Sequence, residues 1–154
     1  MEISAILKPE AVRLLSAVSS KKRLFQELGA VAESAYGLNR TTVIDALQER
    51  ESLGPTGVGN GVALPHARLG DSAEVTGALM VLEKPVEFGA VDRQPVDIVF
   101  ALFAPADSGA EHLKALALVS RTLRNPSLCG KLRSNSDPAT LYTIVSEAQA
   151  IKAA

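Results

Sequence analysis

The sequence predicts an α/β protein, a three-layer α/β/α sandwich with helices flanking a sheet. Three observations lead there. Val96–Phe103 (Val-Asp-Ile-Val-Phe-Ala-Leu-Phe) is continuous, rich in β-formers and too apolar for a strand with one wet face. It reads as a central strand covered on both sides. Segments with helical apolar spacing stand before and after it, and strands alternating with such helices give layered α/β architectures. The chain has 154 residues, of which 47% are hydrophobic. That is the size and composition of one domain with one core, expected to span 1–154.

Residues 1–15 mix apolar and polar types around Pro9, which implies a short turn and then a strand near Val12–Leu15. Ser19 and Ser20 are N-cap candidates for the next segment. There Leu24, Leu28, Val31 and Ala35 recur at helical spacing, with Phe25, Ala32 and Tyr36 beside them. This is an amphipathic helix of about four turns, closed by Gly37 as its C-cap. Asn39 or Thr41 caps a second helix, in which Val43, Leu47 and Arg50 share one face. Arg50 thus ends an inward stripe. Two readings fit it: the guanidinium covers terminal carbonyls, or its fork faces an anion beside the neighbouring glycines.

Those glycines lie in Gly54-Pro-Thr-Gly-Val-Gly-Asn-Gly-Val-Ala-Leu-Pro-His66, which leads through a short apolar strand to Pro65 and one of the two histidines. Glycine admits positive φ and close approach to the main chain, and successive free N–H groups form anion-binding nests. Val75–Leu82 is the next strand, ended by Glu83-Lys-Pro85. Beyond the central strand, Pro105 and Gly109 mark a loop. Ala110–Leu123 is a third long helix, with Leu113, Leu116, Ser120 and Leu123 as its stripe and His112 in its first turn. Pro126 breaks it. Short helices come next, at Ser127–Arg133 and Pro138–Ala148, and the last few residues are expected to fray.

Composition narrows the function. The formal net charge of −1 leaves no basic footprint for nucleic acid, and Lys21, Lys22 and Arg23 read as a solvated helix face. Cys129 is the sole cysteine, which excludes an intrachain disulfide and a cysteine-based zinc site. Between Leu128 and Leu132 it reads as a packing thiol in a reducing compartment. The start Met-Glu-Ile-Ser lacks a basic region followed by an apolar run, and no stretch approaches the ~18–20 apolar residues that span a bilayer. A soluble cytoplasmic protein without membrane insertion is expected.

Standard phosphate cradles do not fit the glycine run. A P-loop needs Lys-Ser/Thr after its last glycine. A dinucleotide fingerprint needs a glycine where Val62 stands. There is no Gly-x-Ser-x-Gly elbow. The two histidines are far apart in sequence and no cluster of metal ligands accompanies them, so no metal site is expected. What remains is a histidine nucleophile. A neutral imidazole, with an ordinary pKa of about 6.5, carries one free ring lone pair at neutral pH and takes a phosphoryl group without a separate base. By composition alone, a structural histidine in a non-catalytic binding domain, with the glycines as simple turns, is the competing reading.

The segment Arg50–His66, together with Gln94–Pro105, Glu111–Ser120, Lys21–Arg23 and Leu141-Tyr142, resembles the IIA domains of the mannitol/fructose type in the bacterial phosphotransferase system. Within that family it is most similar to the stand-alone, nitrogen-related members. The resemblance spans nearly the whole chain. One departure is Ala67-Arg68, where many members carry Gly-Lys. The resemblance implies a small mixed sheet flanked by helices. It implies that His66 accepts a phosphoryl group, with Nε2 (the tele position) as the candidate atom, from an HPr-like phosphocarrier charged by an enzyme I from phosphoenolpyruvate. Arg50 would stabilise the phosphoryl oxygens, and His112 would support the transfer. The Thr56 hydroxyl and N–H groups at Gly57, Gly59 and Gly61 are further candidate donors, and Leu64, Leu69 and Phe88 are candidates for an exposed apolar rim. No cofactor and no metal are implied. The nitrogen-related members imply a regulator whose phosphorylation state alters binding to potassium transporters, sensor kinases or metabolic enzymes. The alternative is a fructose/mannitol-type transport component that passes phosphate to a IIB cysteine.

Overall fold

The computed structural model describes residues 1–70 and 72–153, the side chains of 148–153 excepted. Its centre is the strand β6 (Val96–Pro105), in which Ile98 through Ala104 are fully buried. β6 runs antiparallel to β5 (Thr76–Val86), and β5 runs parallel to β1 (Leu7–Leu15) at one side of the sheet. On its other side β6 is parallel to both β3 (Val62–Ala63) and β4 (His66–Leu69). β2 (Gly57–Gly59) closes that edge antiparallel to β3. The result is a mixed sheet of six strands, flanked by helices as the sequence implies.

β3 and β4 lie end to end along β6, pairing Ala63 with Val99 and His66 with Leu102. Leu64 and Pro65 interrupt them. Proline has no N–H to give to a ladder, but its carbonyl still accepts from the Leu102 N–H at 2.9 Å. His66 therefore begins a new stretch of strand, whereas the sequence pattern places it at a strand's end. β1 and β5 are also longer than expected. β1 starts at Leu7, directly after the short helix α1 (Ile3–Ile6), and β5 continues through Glu83-Lys-Pro85 across an irregularity between Val81 and Val86.

The helices form two groups. α2 (Lys21–Tyr36) rests on β1 and β5 and packs against α3 (Arg40–Ser52), which reaches β4. α4 (Gly109–Leu123), α5 (Pro126–Arg133) and α6 (Pro138–Ala153) contact one another and strands β6, β5 and β1 in turn. Local signals set the helix ends. The Ser20 side chain accepts from the Arg23 N–H, Gly37 caps α2 in the left-handed region at φ 69°, and the Asn39 side chain accepts from Thr42. α6 continues past the expected Ala148 to Ala153, through residues expected to fray. Cys129 is buried, and its thiol donates to the Leu123 carbonyl at 3.2 Å. Burial pushes its pKa up, chiefly by desolvation, which suits a packing role. Among the described residues no helix is long and apolar enough to cross a membrane.

Candidate functional site

Three elements deliver three side chains to one open cleft. The inward stripe of α3 runs from Val43 and Leu47, both buried, to Arg50 in its last turn. β4 opens with His66, and the first turn of α4 carries His112. The cleft is lined by Arg50, His66 and His112 together with Arg68, Leu53 and Leu113, among others.

The Arg50 guanidinium covers a carbonyl at the helix end and also reaches the His66 ring. Its Nη1 donates to the Gly54 carbonyl at 3.1 Å, just past the end of α3. Its Nε donates to His66 Nε2 at 3.3 Å. At the other side of the imidazole, Nδ1 lies 2.9 Å from the Leu64 carbonyl oxygen. A guanidinium only donates and a carbonyl only accepts. The proton of neutral His66 is therefore on Nδ1, and Nε2 carries the lone pair. The backbone break at Leu64-Pro65 supplies that carbonyl: a regular ladder would have tied it to a neighbouring strand.

His112 is 5% exposed, and its ring meets that of His66 nearly edge-on, with centroids 5.4 Å apart. Its Nδ1 accepts from Arg68 Nε at 3.5 Å, which leaves the proton on Nε2. That Nε2 is buried without a hydrogen-bond partner. Burial lowers the pKa of His112, and electrostatic interaction with His66 and Arg68 lowers it further. His112 is therefore held neutral, with one donor unsatisfied beside the His66 ring.

Apart from Gly54, whose carbonyl holds Arg50, the glycines of the run lie outside the cleft. Thr56, Gly57, Gly59 and Gly61, expected as phosphate donors, do not line it; they build the β2–β3 hairpin. Gly59, Asn60 and Gly61 turn the chain at φ 101°, 57° and 79°, all in the region that favours glycine or asparagine. Gly57 allows a close crossing instead, since a Cβ there would sit 2.6 Å from the Ala90 Cβ. The Thr56 N–H and hydroxyl are both spent on the carboxylate of Glu51, at 3.0 Å for the N–H. Glu51 is a residue that sequence pattern alone does not single out. Its side chain is 6% exposed and pairs with Lys21 Nζ at 2.8 Å. Lys21 also donates to the Phe88 carbonyl at 2.8 Å and lies over the Phe88 ring. So Lys21 turns inward from the basic triplet, while Lys22 and Arg23 stay exposed. The only sequence signal for this clamp is adjacency: Glu51 comes directly after Arg50.

The apolar rim also differs from the expectation. Leu64, Leu69 and Phe88 are buried, and Phe88 packs edge-on against Phe25 of α2. The rim is instead Leu53, 80% exposed, and Leu113, 65% exposed. Helical spacing alone places Leu113 on the buried stripe of α4. The observed stripe is rotated by about one residue, to His112, Ala115, Leu118, Val119 and Thr122, with Leu123 of the expected stripe also buried.

The chain matches the family model described as "Phosphoenolpyruvate-dependent sugar phosphotransferase system, EIIA 2" over residues 5–148. It is 42% identical to a nitrogen regulatory protein of Bradyrhizobium diazoefficiens over 94% of this chain and 95% of that one. It is 30% identical to a fructose-specific EIIA component of Haloferax volcanii over 95% and 96% of the two chains. The crystal structure of the nitrogen regulatory protein IIA-Ntr from Neisseria meningitidis superposes with a TM-score of 0.85 at 35% identity, covering 93% of this chain and 98% of that one.

Proposed function

Since the chain belongs to the EIIA 2 family of the phosphoenolpyruvate-dependent sugar phosphotransferase system, we propose that it is a phosphocarrier in which His66 accepts a phosphoryl group from an HPr-like protein. The observation that carries this reading is the state of the His66 ring. Nδ1–H is tied to the Leu64 carbonyl and the Nε2 lone pair faces Arg50 across an open cleft. In the transfer, a new P–N bond forms at Nε2 while the P–N bond of the donor's phosphohistidine breaks. The leaving electron pair stays on the donor imidazole. His66 keeps its Nδ1 proton, and the Leu64 carbonyl stabilises the cationic ring that results.

Phosphoryl transfer asks a protein for positioning and for charge stabilisation on the equatorial oxygens. Arg50 supplies the charge, its guanidinium moving its donors from Nε2 to those oxygens. The buried Nε2–H of His112 is the second donor, an unsatisfied group for which an arriving anion is a partner. Arg50 and His112 serve any donor that can enter the cleft, and a cleft this open suits a donor carried on another protein.

The downstream role is that of the nitrogen-related relatives: the phosphorylation state of His66 sets binding to regulated partner proteins, among them potassium transporters or sensor kinases. The fructose-specific relative favours a second reading, in which the phosphoryl group passes to a IIB cysteine. The test is incubation with phosphoenolpyruvate, enzyme I and the HPr-like carrier, read by intact mass. The wild type gains one phosphoryl group and His66→Ala gains none; a phosphorylated His66→Ala would overturn the assignment. Presenting the phosphoprotein to sugar-specific IIB partners separates the two roles, since rapid transfer to one of them selects transport.

A further inference from the structure

We propose that Arg68 is a positioning residue for this transfer, acting through His112 to hold that ring in its Nε2–H tautomer. The inference rests on the reading of His66 as the phosphoryl acceptor. Its observations are independent of that reading. Arg68 and His66 stand two residues apart on β4, so both side chains leave the same face of the strand. From there Arg68 Nε reaches His112 Nδ1 at 3.5 Å, across from β4 to the first turn of α4.

A neutral imidazole has two tautomers, and the hydrogen bond at one nitrogen decides which atom carries the proton at the other. The partner here is a guanidinium, which never deprotonates and never accepts. It can be satisfied only by a lone pair on Nδ1, so the proton of His112 goes to Nε2. A carboxylate in the same place would orient the ring oppositely and would favour the imidazolium. Arginine selects a neutral ring with the donor at its far end, and that donor is the buried Nε2 without a partner. Flipping the tautomer would leave a lone pair there and no donor to offer an anion. Partners that orient metal-bound histidines change function about 10- to 100-fold when removed, and the lower end of that range is the size expected here.

The test uses the full chain with Arg68→Met, which keeps the stem and removes the donor, and Arg68→Lys, which keeps a donor and the charge. Long-range ¹H–¹⁵N correlations of the His112 ring report which nitrogen is protonated. The wild type is expected as Nε2–H alone, Arg68→Met as a mixture of tautomers, and Arg68→Lys as close to wild type. Rapid-quench transfer from the phosphorylated carrier is expected to slow roughly tenfold in Arg68→Met and to recover in Arg68→Lys. In a His112→Gln background, Arg68→Met should cost nothing further. An unchanged His112 tautomer in Arg68→Met would overturn the proposal. So would an unchanged transfer rate, or a slowing that persists without His112, which would place Arg68 directly on the phosphoryl group or on the donor protein. If the wild type takes up no phosphoryl group, the acceptor reading falls while the tautomer measurement still decides the role of Arg68.

Discussion

Arg50 shows how one residue joins a helix end to the ring of His66. Its Nη1 satisfies the Gly54 carbonyl and its Nε holds His66 Nε2, so the guanidinium is oriented before any anion arrives. Arg50→Ala should slow phosphoryl transfer by about 10²–10³-fold, the usual cost of a lost oxyanion donor. Arg50→Lys should recover little of it, because one ammonium cannot span both partners. Single-turnover kinetics would check both, and near-wild-type transfer by either variant would count against the role. His112 makes a different prediction. Burial lowers its pKa, so below its ordinary value of about 6.5 the unfolded chain binds a proton that the folded chain refuses. The stability it contributes is complete above that pH and falls on acidification. Thermal unfolding midpoints between pH 7 and pH 5 should drop more steeply for the wild type than for His112→Gln; parallel curves would contradict the buried neutral ring. The types of these residues are readable in the sequence, and so is the placement of Arg50 on an inward face. The proton on Nδ1 of His66 is not, because it depends on the Leu64 carbonyl being left out of a ladder.

Among the elements, helix ends are the most legible, since Ser20, Gly37 and Asn39 act on neighbours within a few residues. Short strands are the least. β2 and β4 are too brief for periodicity to register, and the glycines of β2 suggest an open loop, whereas β3 falls within the short apolar strand read before Pro65. The pairing of β3 and β4 with β6 is decided by the central strand, a partner distant in sequence. Spacing misplaces the buried face of α4 by one residue because Leu113 is as apolar as any buried leucine; only the open cleft beside it leaves it exposed. The clamp of Glu51 on Lys21 and Thr56 joins α2, α3 and the start of the hairpin. Glu51→Gln should destabilise the fold by about 1–3 kcal/mol, since it removes a buried charge and leaves Lys21 half-buried without its partner. It should also slow transfer, because the chain past α3, where Arg50 leans on Gly54, loses its anchor. Urea unfolding and transfer kinetics on the same variant would check this, and a neutral result in both would remove the clamp from the site's support.

At the scale of the whole molecule, the cleft lies where α3, β4 and α4 converge, bordered by two exposed leucines from the two helix groups. Such a rim suits a flat protein partner, which under the proposed function brings its phosphohistidine to His66. Leu53→Asp and Leu113→Asp should each raise the KM for the phosphorylated carrier about tenfold, in the range of interface anchors. Their unfolding free energies should stay within about 0.5 kcal/mol of wild type, as for exposed positions. Steady-state kinetics and urea unfolding would check them, and an unchanged KM in both would move the docking surface elsewhere. By itself the sequence determined the layered α/β class, the buried central strand, the helix caps and the three residue types of the site, because each is written in local composition and spacing. The tertiary structure alone decided that the glycines turn a hairpin away from the cleft, that Glu51 and Lys21 brace it, that Leu53 and Leu113 form the rim, and which nitrogen of each histidine carries the proton. Those features depend on contacts between segments far apart in the chain, and local pattern holds no record of which distant partner will be there.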